Sequence, residues 1–245
     1  MPRFFVELTS PLAPGDILHL EGEDARHVAL SLRCRLGEEL VVCDGANTQY
    51  LCRIQALDPR QVGLQVVSAQ SCESEPPVRL HVYQAFLKGD KLEEVVQKCV
   101  ELGVSDFTPV FSDNIVSRPD RASWEKKLLR WQKIAREAAM QCGRGILPRV
   151  HPPVDFAICL QGLARTELGF VCYENQRDLT LKGLLPPLPP ASCGFFIGPE
   201  GGLSAKEVQA VDAAGVPRVS LGHRILRAHT AAPAVLAMLS LSWEL

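Results

Sequence analysis

Short apolar stretches separated by polar turns fill the start of the chain: Arg3–Glu7, Ile17–Leu20, Glu39–Asp44, Gln49–Leu57 and Val62–Val67. With turn chemistry at Asp44-Gly45 and Asp58-Pro59, strands at this spacing predict a small β-barrel. One helix interrupts them, Glu23 to Cys34, with positions 26, 30 and 33 on one face. Residues 68 to 78 are polar and acidic and end in Pro-Pro, which marks a domain boundary. The pattern then changes. Arg79–Leu87 reads as a strand, and Leu92, Val95, Val96, Cys99 and Val100 recur at helical spacing behind Asp90 as an N-cap, with Glu93 three residues on. Gly103 closes that helix and Ser105–Phe111 is the next strand. Strand, helix, strand predicts a parallel sheet and an α/β domain, so the chain divides at 1–72 and 73–245.

Beyond it, Trp124, Leu128, Trp131, Ala135 and Ala138 form the apolar stripe of a long helix, Arg121 to Cys142, which exits through Gly143-Arg144-Gly145. Val154–Gln161 reads as a short helix, Leu168–Tyr173 as a strand ending at Glu174-Asn175, and Leu184–Pro190 as a rigid proline-rich connection. Phe195–Ile197 then breaks at Gly198-Pro199-Glu200-Gly201-Gly202. Ser204 and Glu207 form a capping box, Leu203 and Val208 a hydrophobic staple, and Gly215 stops the helix over 205–214. A second short strand, Val219–Leu221, breaks into Gly222–His229, and Thr230 is the expected N-cap of a last helix from Ala231 to Trp243. Two strand exits in tandem, each pinned by a capped helix, read as two walls of one pocket.

Composition is that of a globular protein, 47% apolar and 22% charged, with no apolar run of membrane-spanning length and no signal-peptide core, so a cytoplasmic location is expected. The nine cysteines show no CxxC pair, and they are expected to be buried thiols with no metal site. Net charge is −2, but residues 118 to 149 hold nine Lys/Arg against three acids. Such a patch reads either as a nucleic-acid footprint or as a solvated helix face. Segment 1–72 carries six Arg and nine acids, so any RNA contact there is local. The glycine loop lacks the lysine of a P-loop and carries Glu200, which repels phosphate. It reads either as a plain turn or as backbone approaching a ligand without phosphate.

The pair IGPEGGLS and LGHRILRAHTA, with RFFV near the start, KGDKLEEVVQKCVELGV at 88–104 and EAAMQCGRGILPRV at 137–150, resembles the RsmE family, ribosomal RNA uridine-N3 methyltransferases of the SPOUT class. The resemblance covers nearly the whole chain. It implies a PUA-like β-barrel for RNA at the N-terminus and a SPOUT-type α/β domain threaded as a trefoil knot, with the knot and cofactor site at about 168–245. It implies S-adenosylmethionine as cofactor, held by Tyr173, Glu174, Ile197, Gly198, Pro199, Glu200, Gly201, Gly202, Leu221, Gly222, Arg224, Ile225, Leu226, Arg227, Ala228 and Thr230. It implies a homodimer acting on 16S ribosomal RNA of the small subunit. Arg144, Arg224 and Arg227 are expected to stabilise a developing uracil anion, Arg144 by reaching across the dimer, and Glu200 or His229 to take the N3 proton. Expected RNA contacts are Arg3, Arg26, His27, Arg33, Arg35, Lys88, Lys126, Arg130, Lys133 and Arg144. Three departures stand out: His229 where the family usually has Glu, Ala25-Arg26-His27 where a His pair is common, and Cys142 where Ser is frequent. The alternatives are a SPOUT enzyme for another RNA position such as a ribose 2′-OH, and a non-catalytic ribosome-assembly RNA-binding protein.

Overall fold

A computed structural model describes residues 1–244, and the chain divides into two compact units. The first comprises Met1–Glu75 and Ala139–Leu147. Its five strands are β1 (Arg3–Phe5), β2 (Ile17–Glu21), β3 (Glu39–Cys43), β4 (Thr48–Leu57) and β5 (Gln61–Ser71), in spatial order β1-β3-β4-β5-β2. All neighbours are antiparallel except β1 and β3. Two register shifts in the β4–β5 ladder, at Leu51/Cys52 and Ile54/Ala56, let this long hairpin bend around the core. That core is the inward set Phe4, Leu18, Leu20, Leu40, Val42, Tyr50, Ile54, Val62 and Leu64.

The helix predicted over Glu23–Cys34 is two pieces. Helix α1 spans Gly22–Arg26, and a π-helical turn covers His27–Ser31. Helical spacing would place Leu32 beside the buried Ala25 and Val28. The wider π turn carries the chain out of that register, and Leu32 is left 40% exposed.

The second unit comprises Pro76–Ala138 and Pro148–Leu245. Strands β6 (Arg79–Ala85), β7 (Asp106–Phe111), β8 (Arg149–Val150), β9 (Val154–Asp155), β10 (Leu168–Cys172), β11 (Ser192–Ile197) and β12 (Arg218–Val219) form one sheet, ordered β12-β10-β11-β6-β7-β8 with β9 also on β7. Every pairing in it is parallel. The helices are α2 (Lys91–Glu101), α3 (Arg121–Cys142), α4 (Phe156–Arg165), α5 (Leu181–Leu184), α6 (Ala205–Ala213) and α7 (Ala228–Trp243). Helix α2 buries the five residues its periodicity selects, and Gly103 follows it at φ 88°, but Asp90 makes no side-chain cap. In α3 the stripe is buried at Trp131, Ala135 and Ala138. Strands β8 and β9 are two residues each, too short to give a periodic signal.

A polar cluster sits at the starting ends of β6 and β7. Asp106 accepts from Arg79 Nε at 2.8 Å and lies 2.7 Å from His151 Nε2, while His81 Nε2 meets Thr108 Oγ1 at 2.8 Å and stacks on Tyr83. Burial holds the His81 imidazole down at about 4. Burial pushes the Asp106 carboxyl up, but the hydrogen bonds from His151 and Arg79 outweigh it and hold the group well below the usual carboxylate range. His81 is therefore neutral in the folded protein across pH values where an unfolded histidine is charged. Its contribution to stability is present above an ordinary histidine pKa of about 6.5 and is lost as pH falls toward the folded value. The Asp106 contribution follows at lower pH, below the ordinary carboxylate range. Thermal melts are expected to lose up to about 3 kcal/mol on acidification through the histidine window, and His81→Gln should flatten that limb. An unchanged slope in the variant would assign the acid limb to other groups.

Candidate active site

The ends of β10, β11 and β12 lie side by side, and the loops that leave them enclose a cavity of about 360 Å³. Tyr173 and Glu174 follow β10. Ile197, Gly198, Pro199, Glu200, Gly202 and Leu203 line the cavity from the β11 exit. Ser220, Leu221, Gly222, Arg224 to His229 and Ala231 line it from the β12 exit. The structure thus brings together every residue expected at a cofactor except Gly201 and Thr230, which lie outside the lining. It adds Lys91, Cys172, Arg177, Leu203, Ser220 and Ala231. Lys91 comes from the first turn of α2, and nothing in the local sequence signals that it meets a loop more than a hundred residues away.

The glycine loop is clamped from both sides. The capping box forms as its sequence spells: Ser204 Oγ accepts from Glu207 N at 3.2 Å, and Glu207 Oε2 accepts from Ser204 N at 2.9 Å. Glu207 is itself buried, and its other oxygen accepts from Ser112 Oγ at 2.7 Å and Asp113 N at 3.0 Å. Ser204 Oγ donates to Asp113 Oδ2 at 2.6 Å. Asn114 Nδ2 donates to the carbonyls of Gly201 (3.3 Å) and Gly202 (3.1 Å). The segment after β7 is thus a brace for the loop after β11. Gly202 has φ 68°, in the left-handed region that favours glycine.

Glu200 Oε1 accepts from Lys88 N and Lys91 Nζ, each at 3.3 Å. Partial burial pushes its carboxyl up, but hydrogen bonds from its own N–H, Lys88 and Lys91 more than offset this and hold it below its ordinary value. A carboxylate so held is a poor proton acceptor. His229 lines the cavity in the first turn of α7. Helix α7 begins earlier than Thr230 predicts. Arg227 is its N-cap, its carbonyl accepting from Thr230 N at 2.8 Å and Ala231 N at 3.0 Å. Pro233 supplies no N–H to the His229 carbonyl one turn back. The Arg224 and Arg227 side chains are exposed at the cavity wall.

Arg144 is buried within the first unit. It is 2% exposed, and its guanidinium is bound to Glu75, with NH2 at 2.7 Å. Glu75 Oε1 also accepts from Gly145 N and Ile146 N. A buried cation requires such a partner, and the acidic stretch read as an interdomain boundary supplies it. Arg3 is equally committed. It donates to Cys43 Sγ at 2.8 Å, Gln49 Oε1 at 2.9 Å and the Arg144 carbonyl at 3.2 Å. Burial corrects the expectation that Arg144 contacts RNA; Arg3 is half-buried, and both side chains staple the first unit. Of the other expected RNA contacts, Arg26, His27, Arg33, Arg35, Lys88, Lys126, Arg130 and Lys133 are exposed. Arg130 pairs with Glu93 at 2.7 Å, and in the same basic segment Arg118 pairs with Asp155 and Arg121 with Glu125. No helix among the described residues is long and apolar enough to cross a membrane.

A parallel sheet whose adjacent exits cradle one cavity, in a chain that also carries a five-stranded β unit, is the arrangement of an RNA methyltransferase. The profile of the RNA methyltransferase domain matches residues 74–240, and that of the RNA methyltransferase PUA domain matches residues 20–67. The ribosomal RNA small subunit methyltransferase E of Bacillus subtilis is 31% identical over 100% of this chain and 98% of its own, and that of Synechocystis 33% identical over 98% and 75%. The chain belongs to the ribosomal RNA small subunit methyltransferase E family, a PUA-like β unit followed by a SPOUT-type α/β domain. A member from Neisseria gonorrhoeae, solved with S-adenosylmethionine, superposes with a TM-score of 0.87 at 32% identity, covering 99% of this chain and 98% of that one. A methyltransferase from Legionella pneumophila with the same bound cofactor gives 0.88 at 31% identity, covering 98% and 97%.

Proposed function

We propose that this protein transfers the methyl group of S-adenosylmethionine to N3 of one uridine in 16S ribosomal RNA of the small subunit. The carrying observation is the cavity at the three strand exits, within a chain whose relatives are small-subunit RNA methyltransferases. Its chemistry fits the cofactor. Ile197, Leu221, Ile225 and Leu226 offer apolar walls for adenosine, while Glu174 and Arg177 match the two charges of the amino-acid tail. Bound there, S-adenosylmethionine supplies an electrophilic methyl on a sulfonium.

The chain's own residues deal with the uracil. N3–H must lose its proton as the N–C bond forms, so negative charge develops on the ring and its carbonyls. Arg224 and Arg227, both on the cavity wall, are the cations to meet that charge in this reading. The hydrogen bonds that depress Glu200 favour His229 as proton acceptor and leave Glu200 to tie the glycine loop to α2. The target base must be unpaired or flipped to enter.

In this reading residues 1–72 bind RNA, and 73–245 form the catalytic domain, with its last segment threaded as a knot. The protein acts in the cytoplasm as a homodimer, to which the exposed Met238 and Leu241 of α7 lend apolar surface. Purified protein, methyl-labelled cofactor and small subunits from cells lacking the modification should yield 3-methyluridine on nucleoside analysis. Label on a ribose 2′-OH would assign the enzyme to another RNA position, and no cofactor uptake by calorimetry would make it a non-catalytic binder.

A further inference from the structure

The first unit contains no lysine, and its arginines divide sharply. Arg3 and Arg144 are structural, and Arg53 pairs with Glu39 at 2.8 Å. Arg60 sits alone in the β4–β5 turn. The remaining three, Arg26, Arg33 and Arg35, fall within one window, residues 26 to 36, which has no acid. All three are exposed, with no side-chain partner among the described residues. The same window holds three of the unit's most exposed large apolar side chains, Leu30 (58%), Leu32 (40%) and Leu36 (64%). Its backbone is unusual twice over: the π turn at His27–Ser31, and Arg33 in the left-handed region at φ 52°. Nowhere else in this unit do unpaired cations and exposed leucines coincide.

Resting on the reading above, we propose that this window grips an unpaired stretch of ribosomal RNA, the arginines neutralising phosphates and the leucines packing against unstacked base faces. Three arginines with no acid among them call for a polyanion, and like charge opposes a contact of this window with its own copy. The leucines select single-stranded over duplex RNA. An A-form helix presents phosphates and 2′-hydroxyls in its shallow groove and hides its base faces, so apolar side chains gain nothing there. Leucine offers no aromatic platform. It contributes apolar contact to a base face that has left its stack. Such a grip would hold RNA in the state that a base-accessing enzyme needs.

The test uses the full chain and two labelled RNAs of about 15 nucleotides per strand, one unstructured and one duplex, a length near the site of a single-strand-binding fold. Wild type is expected to prefer the single strand. The double variant Leu30→Ser/Leu36→Ser should lose about tenfold in single-strand affinity, in line with the loss of one or two base contacts. Its duplex affinity and the salt dependence of binding should be unchanged. Arg26→Gln/Arg35→Gln should instead flatten the slope of log affinity against log salt by about 1.4, the value for two phosphate contacts on a single strand. Calorimetric uptake of S-adenosylmethionine should match wild type in both, and methyl transfer should show a raised KM with kcat kept. If the double leucine variant folds poorly, Leu36→Ser alone repeats the measurement at the most exposed of the three. Unchanged single-strand affinity in the leucine variant overturns the proposal, as does a change in its sedimentation showing that the patch joins two copies. Because binding is read without turnover, a wild-type protein that binds RNA but makes no 3-methyluridine would overturn the catalytic reading alone.

Discussion

Arg227→Ala is expected to lower the rate of methyl transfer about 10²- to 10³-fold while S-adenosylmethionine binds within a few fold of wild type. The reasoning starts from the backbone. Arg227 serves α7 through its carbonyl, which accepts from Thr230 N and Ala231 N, and alanine keeps that carbonyl in place. What the substitution removes is an exposed guanidinium at the cavity wall, between Leu226 and the α7 terminus. If that guanidinium stabilises the uracil anion, its loss falls on kcat and spares cofactor affinity. Two further readouts separate this role from a structural one. Raising the pH should recover part of the rate, because deprotonation of N3 then needs less help. Arg227→Lys should recover less than a full cation would predict, since an ammonium is a single point charge with no fork of donors. Single-turnover transfer to small subunits measures all three, and undiminished turnover in Arg227→Ala would remove the residue from the mechanism.

Much of this site is legible in the sequence because local rules write it. A strand running into GPEGG, closed by S-x-x-E, leaves little choice for 195–213, and the capping box forms as spelled. The five apolar positions of α2 are those that are buried, and α3 spans Arg121–Cys142 as its stripe predicts. What the sequence hides is long-range pairing. Glu75 lies in an acidic stretch that reads as linker, yet its carboxylate holds Arg144 and two backbone N–H groups 69 to 71 residues away. A free arginine between two glycines and a buried ion pair look alike until the partner is placed. Lys91 is hidden from the cavity for the same reason: helix periodicity says which face is buried but not which loop the exposed end of the helix meets. Thr230 fails differently. Its side chain suits an N-cap, but the chain turns helical three residues earlier, and cap propensity of about 1 kcal/mol does not override tertiary packing of Ala231 and Ala232. The π turn at His27–Ser31 defeats a 3.6-residue template because it is built on another period.

Another long-range pairing governs the second large effect. Glu207 is a textually local cap that doubles as the joint between two loops, because Ser112 and Asp113 lie some ninety residues earlier in the chain. Removing its carboxylate in Glu207→Ala leaves a hydroxyl and two backbone N–H groups without their acceptor in a buried place. At about 1–3 kcal/mol for each donor stranded, partly relieved by relaxation, the loss should be about 3–5 kcal/mol. For a chain of this size that lowers the thermal midpoint by about 10 °C. Ser204→Ala, which removes only the cap oxygen, should cost about 1 kcal/mol. Glu207→Gln should fall between the two, because its amide oxygen keeps the partners of one carboxylate oxygen while its NH2 faces donors on the other side. The glycine loop would then be tied down by Asn114, by Ser204 through Asp113 and by Glu200 through Lys88 and Lys91, without the buried carboxylate, so cofactor affinity should fall further in Glu207→Ala than in Ser204→Ala at a temperature where both are folded. Melts and calorimetry on the three variants test the order. If Glu207→Ala melts no lower than Ser204→Ala, the carboxylate caps one helix only, and the brace between the two loops does not exist.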